Sequence, residues 1–297
     1  VKRKKGKGGS FDQTLAPLLF LTPNMLIFGI FIIYPALSGI RMAFYEWSVL
    51  EGHTFIGVQN FLTLFTDKMF WITLKNTLIY VGSVVPLLII VSLGIGFLTS
   101  KAVKGIGIFR ACYYLPTMLS LIMVGIAWRW ILGNEIGILN FLIRTFGGEP
   151  VSWLTSTTMA MISLIFVTVW QGAGFYMIIF IGGLQAIPDT VYEAAYIDGA
   201  SKLQAFRHIT LPLLKPTTLV VTVLATINAF KAFELIYVMT KGGPGYSTKF
   251  LVQNIYLTAF EEDRMGYAAA MSIVLLIIIG LLTSIQFMAS GKEYANE

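Results

Sequence analysis

The sequence predicts an all-α integral membrane protein with about six transmembrane helices. Three observations carry that expectation. Mean hydropathy is +0.77, with 56% hydrophobic and only 12% charged residues. Apolar stretches long enough to cross a bilayer recur along the whole chain. A run of cations, Lys2, Arg3, Lys4, Lys5 and Lys7, stands at one end. Such a composition is far from that of a soluble domain, so lipid is the solvent for most of the chain.

Crossing a hydrocarbon core of ~30 Å takes roughly 20 apolar residues as a helix, because no water is present there to satisfy exposed backbone groups. Stretches 15–43, 74–99, 109–131, 157–181, 213–238 and 265–288 meet that requirement. An even number of spans puts both termini on one side. The positive-inside rule then places the basic tail, 1–14, and the C-terminal tail, 289–297, in the cytoplasm. Residues 44–73 become an outer loop and 182–212 a cytoplasmic one. Lys and Arg outnumber Asp and Glu in the proposed cytoplasmic segments and balance them in the outer ones. Trp47, Trp71, Trp128, Trp130 and Trp153 fall at outer helix ends, where an amphipathic ring suits the interface.

Other classes are disfavoured. Cys112 is the only cysteine and His53 and His208 the only histidines, so neither an internal disulfide nor a zinc or iron site is expected. No Ser/His/Asp constellation assembles, and no catalytic or metal-ligating residue is predicted. The basic tail beside an apolar span reads as a topology signal that contacts anionic lipid rather than nucleic acid. A secretory signal peptide is not expected, because the first apolar run continues well beyond a short h-region. Glu261-Glu262-Asp263 reads as a solvated outer cluster, with contact to another protein as the alternative.

One cytoplasmic segment is too polar for lipid and too patterned for a linker. From Glu193 to Pro212 it reads as two short helices. Pro188 and Asp189 start the first, Gly199 permits a sharp turn, Leu203, Phe206 and Ile209 continue an apolar stripe, and Pro212 ends the second before the fifth span.

This segment resembles the EAA loop of permease subunits of binding-protein-dependent ABC importers. The pattern is E-A-A, a glycine after three more residues, then I-x-L-P, matched by Glu193-Ala194-Ala195, Gly199, Ile209 and Leu211-Pro212. Further matches cover nearly the whole chain and resemble the maltose-type sugar permeases. They are Phe55-Ile56-Gly57 with Asn60-Phe61, Arg110 with Tyr114-Leu115-Pro116, Leu184-Gln185 with Ile187-Pro188, and Tyr237 to Thr240 with Gly242-Gly243-Pro244. The resemblance implies a type I ABC importer (MetI-like) permease fold in the bacterial cytoplasmic (inner) membrane, with residues 74–288 as its five-helix core. It implies that Glu193, Ala194, Ala195, Asp198, Gly199, Ala200, Phe206, Ile209, Leu211 and Pro212 form an ATPase-coupling element. Implied partners are a second, homologous permease in a heterodimer, two ATPase subunits, an extracytoplasmic solute-binding protein and membrane lipids. No G-x-x-x-x-G-K-[ST] phosphate loop is present, so no cofactor is expected on this chain; ATP and Mg belong to the ATPase subunits.

A sugar offers hydroxyls and apolar ring faces, so its path needs polar groups and exposed rings within apolar helices. The fourth span supplies Trp170, Gln171, Gly172 and Phe175. By resemblance, Gln171, Gly172 and Phe175 align with sugar-contacting positions. Helix packing through small residues is the alternative. In the fifth span Asn228, Lys231 and Glu234 recur at three-residue intervals, which places them on one helical face. Charges at that depth face a cavity, a partner or each other, so a Lys231–Glu234 ion pair or a snorkelling lysine remains open. Ala229 and Ala232 stand where the family has polar residues. A permease for glycerol phosphate or another polyol is the nearest alternative function. A membrane-embedded enzyme would need converging acids, bases or metal ligands, and a proton-coupled transporter an internal repeat; neither feature is found.

Overall fold

The computed structural model describes residues 10–49, 52–100 and 104–294. The cations of the N-terminal tail therefore lie outside the described residues. In chain order the elements are α1 (Ser10–Phe28), a π turn (Gly29–Ile33), α2 (Tyr34–Met42), β1 (Tyr45–Ser48), β2 (Gly52–Phe55), α3 (Gln59–Thr66), α4 (Lys68–Thr99), α5 (Ile106–Met118), α6 (Leu121–Ile131), α7 (Ile138–Thr145), α8 (Thr157–Gln185), α9 (Asp189–Ile197), α10 (Lys202–Ala205), a second π turn (Phe206–Thr210), α11 (Leu211–Leu213), α12 (Lys215–Phe230), α13 (Glu234–Thr240), α14 (Leu251–Phe260) and α15 (Met265–Tyr294). They fall into two compact units, one within 1–65 and 258–273, the other within 66–257 and 274–297.

In the first unit, α1, the π turn and α2 run on as the expected first span. Pro35 has no N–H and its ring excludes the carbonyl four residues back. The π turn just before it absorbs the defect, with the Tyr34 N–H bonded to the Gly29 carbonyl. The most apolar window of Leu19–Met42 is buried nowhere by the chain itself. The 44–73 segment then contains an unexpected β-hairpin, with Tyr45 opposite Phe55 and Trp47 opposite His53. Four-residue strands are not stable alone. Side chains from elsewhere hold them: Asn60 donates to the carbonyls of Ala43 (2.8 Å) and Tyr45 (3.0 Å), and Asp263 accepts from the Ser48 hydroxyl and the Val49 N–H. Asp263 is thus a structural clamp rather than part of a merely solvated acidic cluster.

The second unit is built on α4 and α8, which share a core of Tyr80, Val84, Leu88, Leu164, Val167, Met177 and Phe180. Small residues set the helix distances. A side chain at Gly174 would run into the backbone of Tyr113 and Tyr114 on α5, and one at Gly183 into Thr217 on α12. Thr117 of α5 donates to the Gln171 carbonyl of α8 at 2.8 Å, and Gln286 of α15 to the Thr226 hydroxyl of α12 at 2.9 Å.

Two expected spans are not continuous helices. Stretch 109–131 is α5 and α6, bent by 96° at Leu119 and Ser120. Stretch 213–238 is α12 and α13, separated by Lys231 to Phe233; Phe233 has the non-helical φ −141°, ψ −61°. Pro212 does not stop its helix either. The second π turn precedes it as the first precedes Pro35, with the Leu211 N–H bonded to the Phe206 carbonyl. The bend comes after Leu213, at 64° to α12. Among the described residues four helices are long and apolar enough to span alone, and six spans result if each bent pair counts as one.

Candidate solute cavity and coupling element

A cavity of about 430 Å³ opens between α4, α5, α6, α8 and the α12–α13 break. Tyr80, Val84 and Leu88 supply one wall and Thr168, Gln171, Gly172, Phe175 and Tyr176 another; Asn228, Lys231, Phe233 and Glu234 complete it, with Thr117 and Leu121. Its polar groups are ordered by bonds between helices. The Tyr80 and Thr168 hydroxyls lie 2.8 Å apart, and the Asn228 amide donates to the Tyr176 hydroxyl at 3.1 Å. A Cβ at Gly172 would stand 3.3 Å from Leu88, so this glycine lets α8 approach α4.

The break changes how the fifth-span residues reach the site. Asn228 lies on α12, Lys231 caps its C-terminus and Glu234 begins α13, so no single helical face carries all three. All three nevertheless line the cavity. The Lys231–Glu234 ion pair, one of the two arrangements the spacing left open, is not formed within 4.0 Å. Lys231 is instead favoured by the negative end of the α12 dipole. Trp170 is absent from the lining: its ring lies edge-on to Trp128 at 5.4 Å, next to the Trp128–Phe166 pair. The sequence reading missed Tyr80, Thr168 and Tyr176. Their signal was a hydroxyl within an apolar span, but nothing local showed which hydroxyls meet.

The coupling candidate is a helical elbow. Pro188 caps α9, and Gly199 turns the chain at φ +83°, a conformation that L side chains rarely adopt. The Ser201 hydroxyl accepts from the Gln204 N–H while the Gln204 side chain accepts from the Ser201 N–H, so a capping box starts α10. Tyr192 and Thr210 hydroxyls, 2.9 Å apart, tie the arms together. Glu193, Ala194, Asp198, Gly199, Leu211 and Pro212 are exposed; Ala195, Ala200, Phe206 and Ile209 are half-buried. Phe206 packs edge-on to Phe97 of α4 at 5.0 Å, so it anchors the elbow to its own chain. Leu203 departs from the predicted stripe and is 75% exposed, while Ala205 and Thr210 are buried. Ile197, also unassigned from sequence, is 86% exposed. A cleft of about 320 Å³ between the arms is lined by Asp198, Gly199, Ala200, Gln204, Ala205, His208 and Ile209.

Broken apolar helices around a polar-lined cavity, with an exposed elbow between α8 and α12, fit a multi-pass transport subunit. Residues 70–290 match the family described as binding-protein-dependent transport system inner membrane component, and the chain belongs to that family. It is 36% identical over 291 residues to the probable ABC transporter permease protein YurN of Bacillus subtilis (strain 168), covering 95% of this chain and 99% of that protein. It is 36% identical over 286 residues to the arabinooligosaccharides transport system permease protein AraP of the same organism, covering 95% and 90%. The structure of a bacterial alginate ABC transporter in complex with an alginate pentasaccharide-bound periplasmic protein includes a chain of the same fold. That match has a TM-score of 0.80 and 25% identity, over 93% of this chain and 94% of that one.

Proposed function

We propose that the chain forms half of the transmembrane pathway of an ATP-driven importer for a carbohydrate, a di- or oligosaccharide, and is driven through the Glu193–Pro212 elbow. The observation that carries this reading is the cavity, where neutral hydroxyl and amide groups converge beside the ring of Phe175. Its size is in the range of small-molecule sites, roughly 300–1,000 Å³, and hydroxyls with a ring face suit a sugar. The arabinooligosaccharide permease and the alginate transporter support the same substrate class. Phosphorylated polyols are the second reading, favoured by Lys231 in the cavity wall.

The partners in this reading are a homologous permease that completes a heterodimer, two ATPase subunits that hold ATP and Mg, and an extracytoplasmic solute-binding protein. Both termini and the elbow face the cytoplasm. A helix pressed into a cleft transmits rigid-body motion because packed side chains do not compress. Closure of the ATPase pair then moves α8 and α12, which flank the elbow and line the cavity.

The test is copurification of the assembly through a tag on this chain, followed by a thermal-shift screen of its binding protein against neutral mono- and oligosaccharides and glycerol phosphate. A shift with an oligosaccharide, and uptake of that sugar by ATP-loaded vesicles, is the expected result. Uptake by this chain alone in ATP-free vesicles would overturn the reading. Glu193→Gln should reduce transport and ATPase coupling while membrane insertion stays at the wild-type level.

A further inference from the structure

Charge on the elbow is segregated by arm. Between 186 and 201 the charged residues are Asp189, Glu193 and Asp198, with no Lys or Arg; between 202 and 215 they are Lys202, Arg207 and Lys215, with His208 and no Asp or Glu. Asp189, Glu193, Asp198, Lys202, Arg207 and His208 are all exposed. None of these six forms a salt bridge with another of the set. Opposite charges only a few residues apart would readily pair across a flexible turn. Gly199, the Ser201–Gln204 box and the Tyr192–Thr210 contact hold the arms so that they do not. The apolar Ile197 and Leu203 stand exposed on either side of the turn.

We propose that the elbow recognises an ATPase surface of inverse charge order, with a basic patch against α9 and an acidic patch against α10 and the π turn. Ile197 and Leu203 are its apolar anchors. The inference rests on the coupling reading above and adds the partner's chemistry. A bipolar surface does what a single glutamate does not. Docked in reverse, it sets like charges against each other, and such juxtaposition sets orientation and excludes wrong partners. The charges are exposed, so the effect is screened by salt over about 8 Å at physiological ionic strength.

The experiment uses the intact assembly, purified through a tag on this chain into nanodiscs of phosphatidylcholine alone or with phosphatidylglycerol. It measures the ATPase subunits retained as NaCl rises. The double variant Lys202→Glu/Arg207→Glu should retain at least tenfold less ATPase at moderate salt in both lipids, and Lys202→Gln/Arg207→Gln an intermediate amount. Unchanged thermal stability of the variant chain separates this loss from misfolding. Wild-type retention by the double variant, with loss in Gly199→Val, would remove the charge map and leave the coupling reading standing. Retention by both would remove the coupling reading as well. A loss confined to nanodiscs with phosphatidylglycerol would assign the cations to lipid and overturn the proposal.

Discussion

The elbow and the cavity belong to one compact unit, yet opposite kinds of interaction shape them. Every contact that sets the elbow's turn lies within a short segment: the Pro188 start, Gly199 at φ +83° and the Ser201–Gln204 box. The cavity is ordered by pairs far apart in sequence, Tyr80 with Thr168 and Tyr176 with Asn228. The elbow's turn is therefore set locally, with Phe206 against Phe97 as its anchor on α4, whereas the cavity depends on the packing of the helices around it.

The largest test of that contrast is Gly174→Leu. The new side chain meets the Tyr113–Tyr114 backbone, which cannot move without displacing α5 from α8. Overpacking costs about 1–3 kcal/mol where side chains can yield and more against backbone. The expected outcome is loss of monodisperse protein on size-exclusion chromatography; a folded, active variant would show that the cavity tolerates what the packing forbids.

Gly199→Ala should be milder. A Cβ there meets open space, so only the left-handed backbone is penalised, by roughly 1–2 kcal/mol. Global thermal stability should change little while ATP-driven uptake falls several-fold. An equal fall in cavity-dependent solute binding would break the distinction between the two regions.

Asn228→Ala and Tyr176→Phe remove opposite ends of one hydrogen bond at the cavity wall. Each should cost about 1 kcal/mol, near fivefold in the KM for uptake. The double variant should cost less than the sum, because both changes delete the same contact. Additive effects would show that the two groups act separately. The smallest effect is expected for Trp170→Phe, which keeps an aromatic partner for Trp128 outside the lining. Uptake KM should stay within twofold of wild type; a larger change would return Trp170 to the solute path.

Much of this is legible in the sequence. Hydropathy located the apolar stretches, and the residues from Glu193 to Pro212 announced two helices about a glycine turn. The breaks were not legible. Residues 217–238 hold neither Pro nor Gly, yet the chain leaves the helix at Lys231, between α12 packed on α4 and α13 packed on α6. Pro212 misled for a related reason: a π turn upstream absorbs a proline defect without ending a helix, as it also does before Pro35. The hairpin at Tyr45–Phe55 escaped notice because its stability comes from Asn60 and Asp263, the latter more than 200 positions away.

The sequence by itself determined the apolar stretches of a membrane chain and two short helices about a glycine turn, because transfer free energy and turn chemistry act residue by residue. Tertiary structure decided which polar groups meet. It brought Asn228, Lys231 and Glu234 to one cavity across a break rather than along one face, left Trp170 outside, and turned Phe206 inward and Leu203 outward. Those outcomes depend on how helices distant in sequence approach one another, and no local pattern encodes that approach.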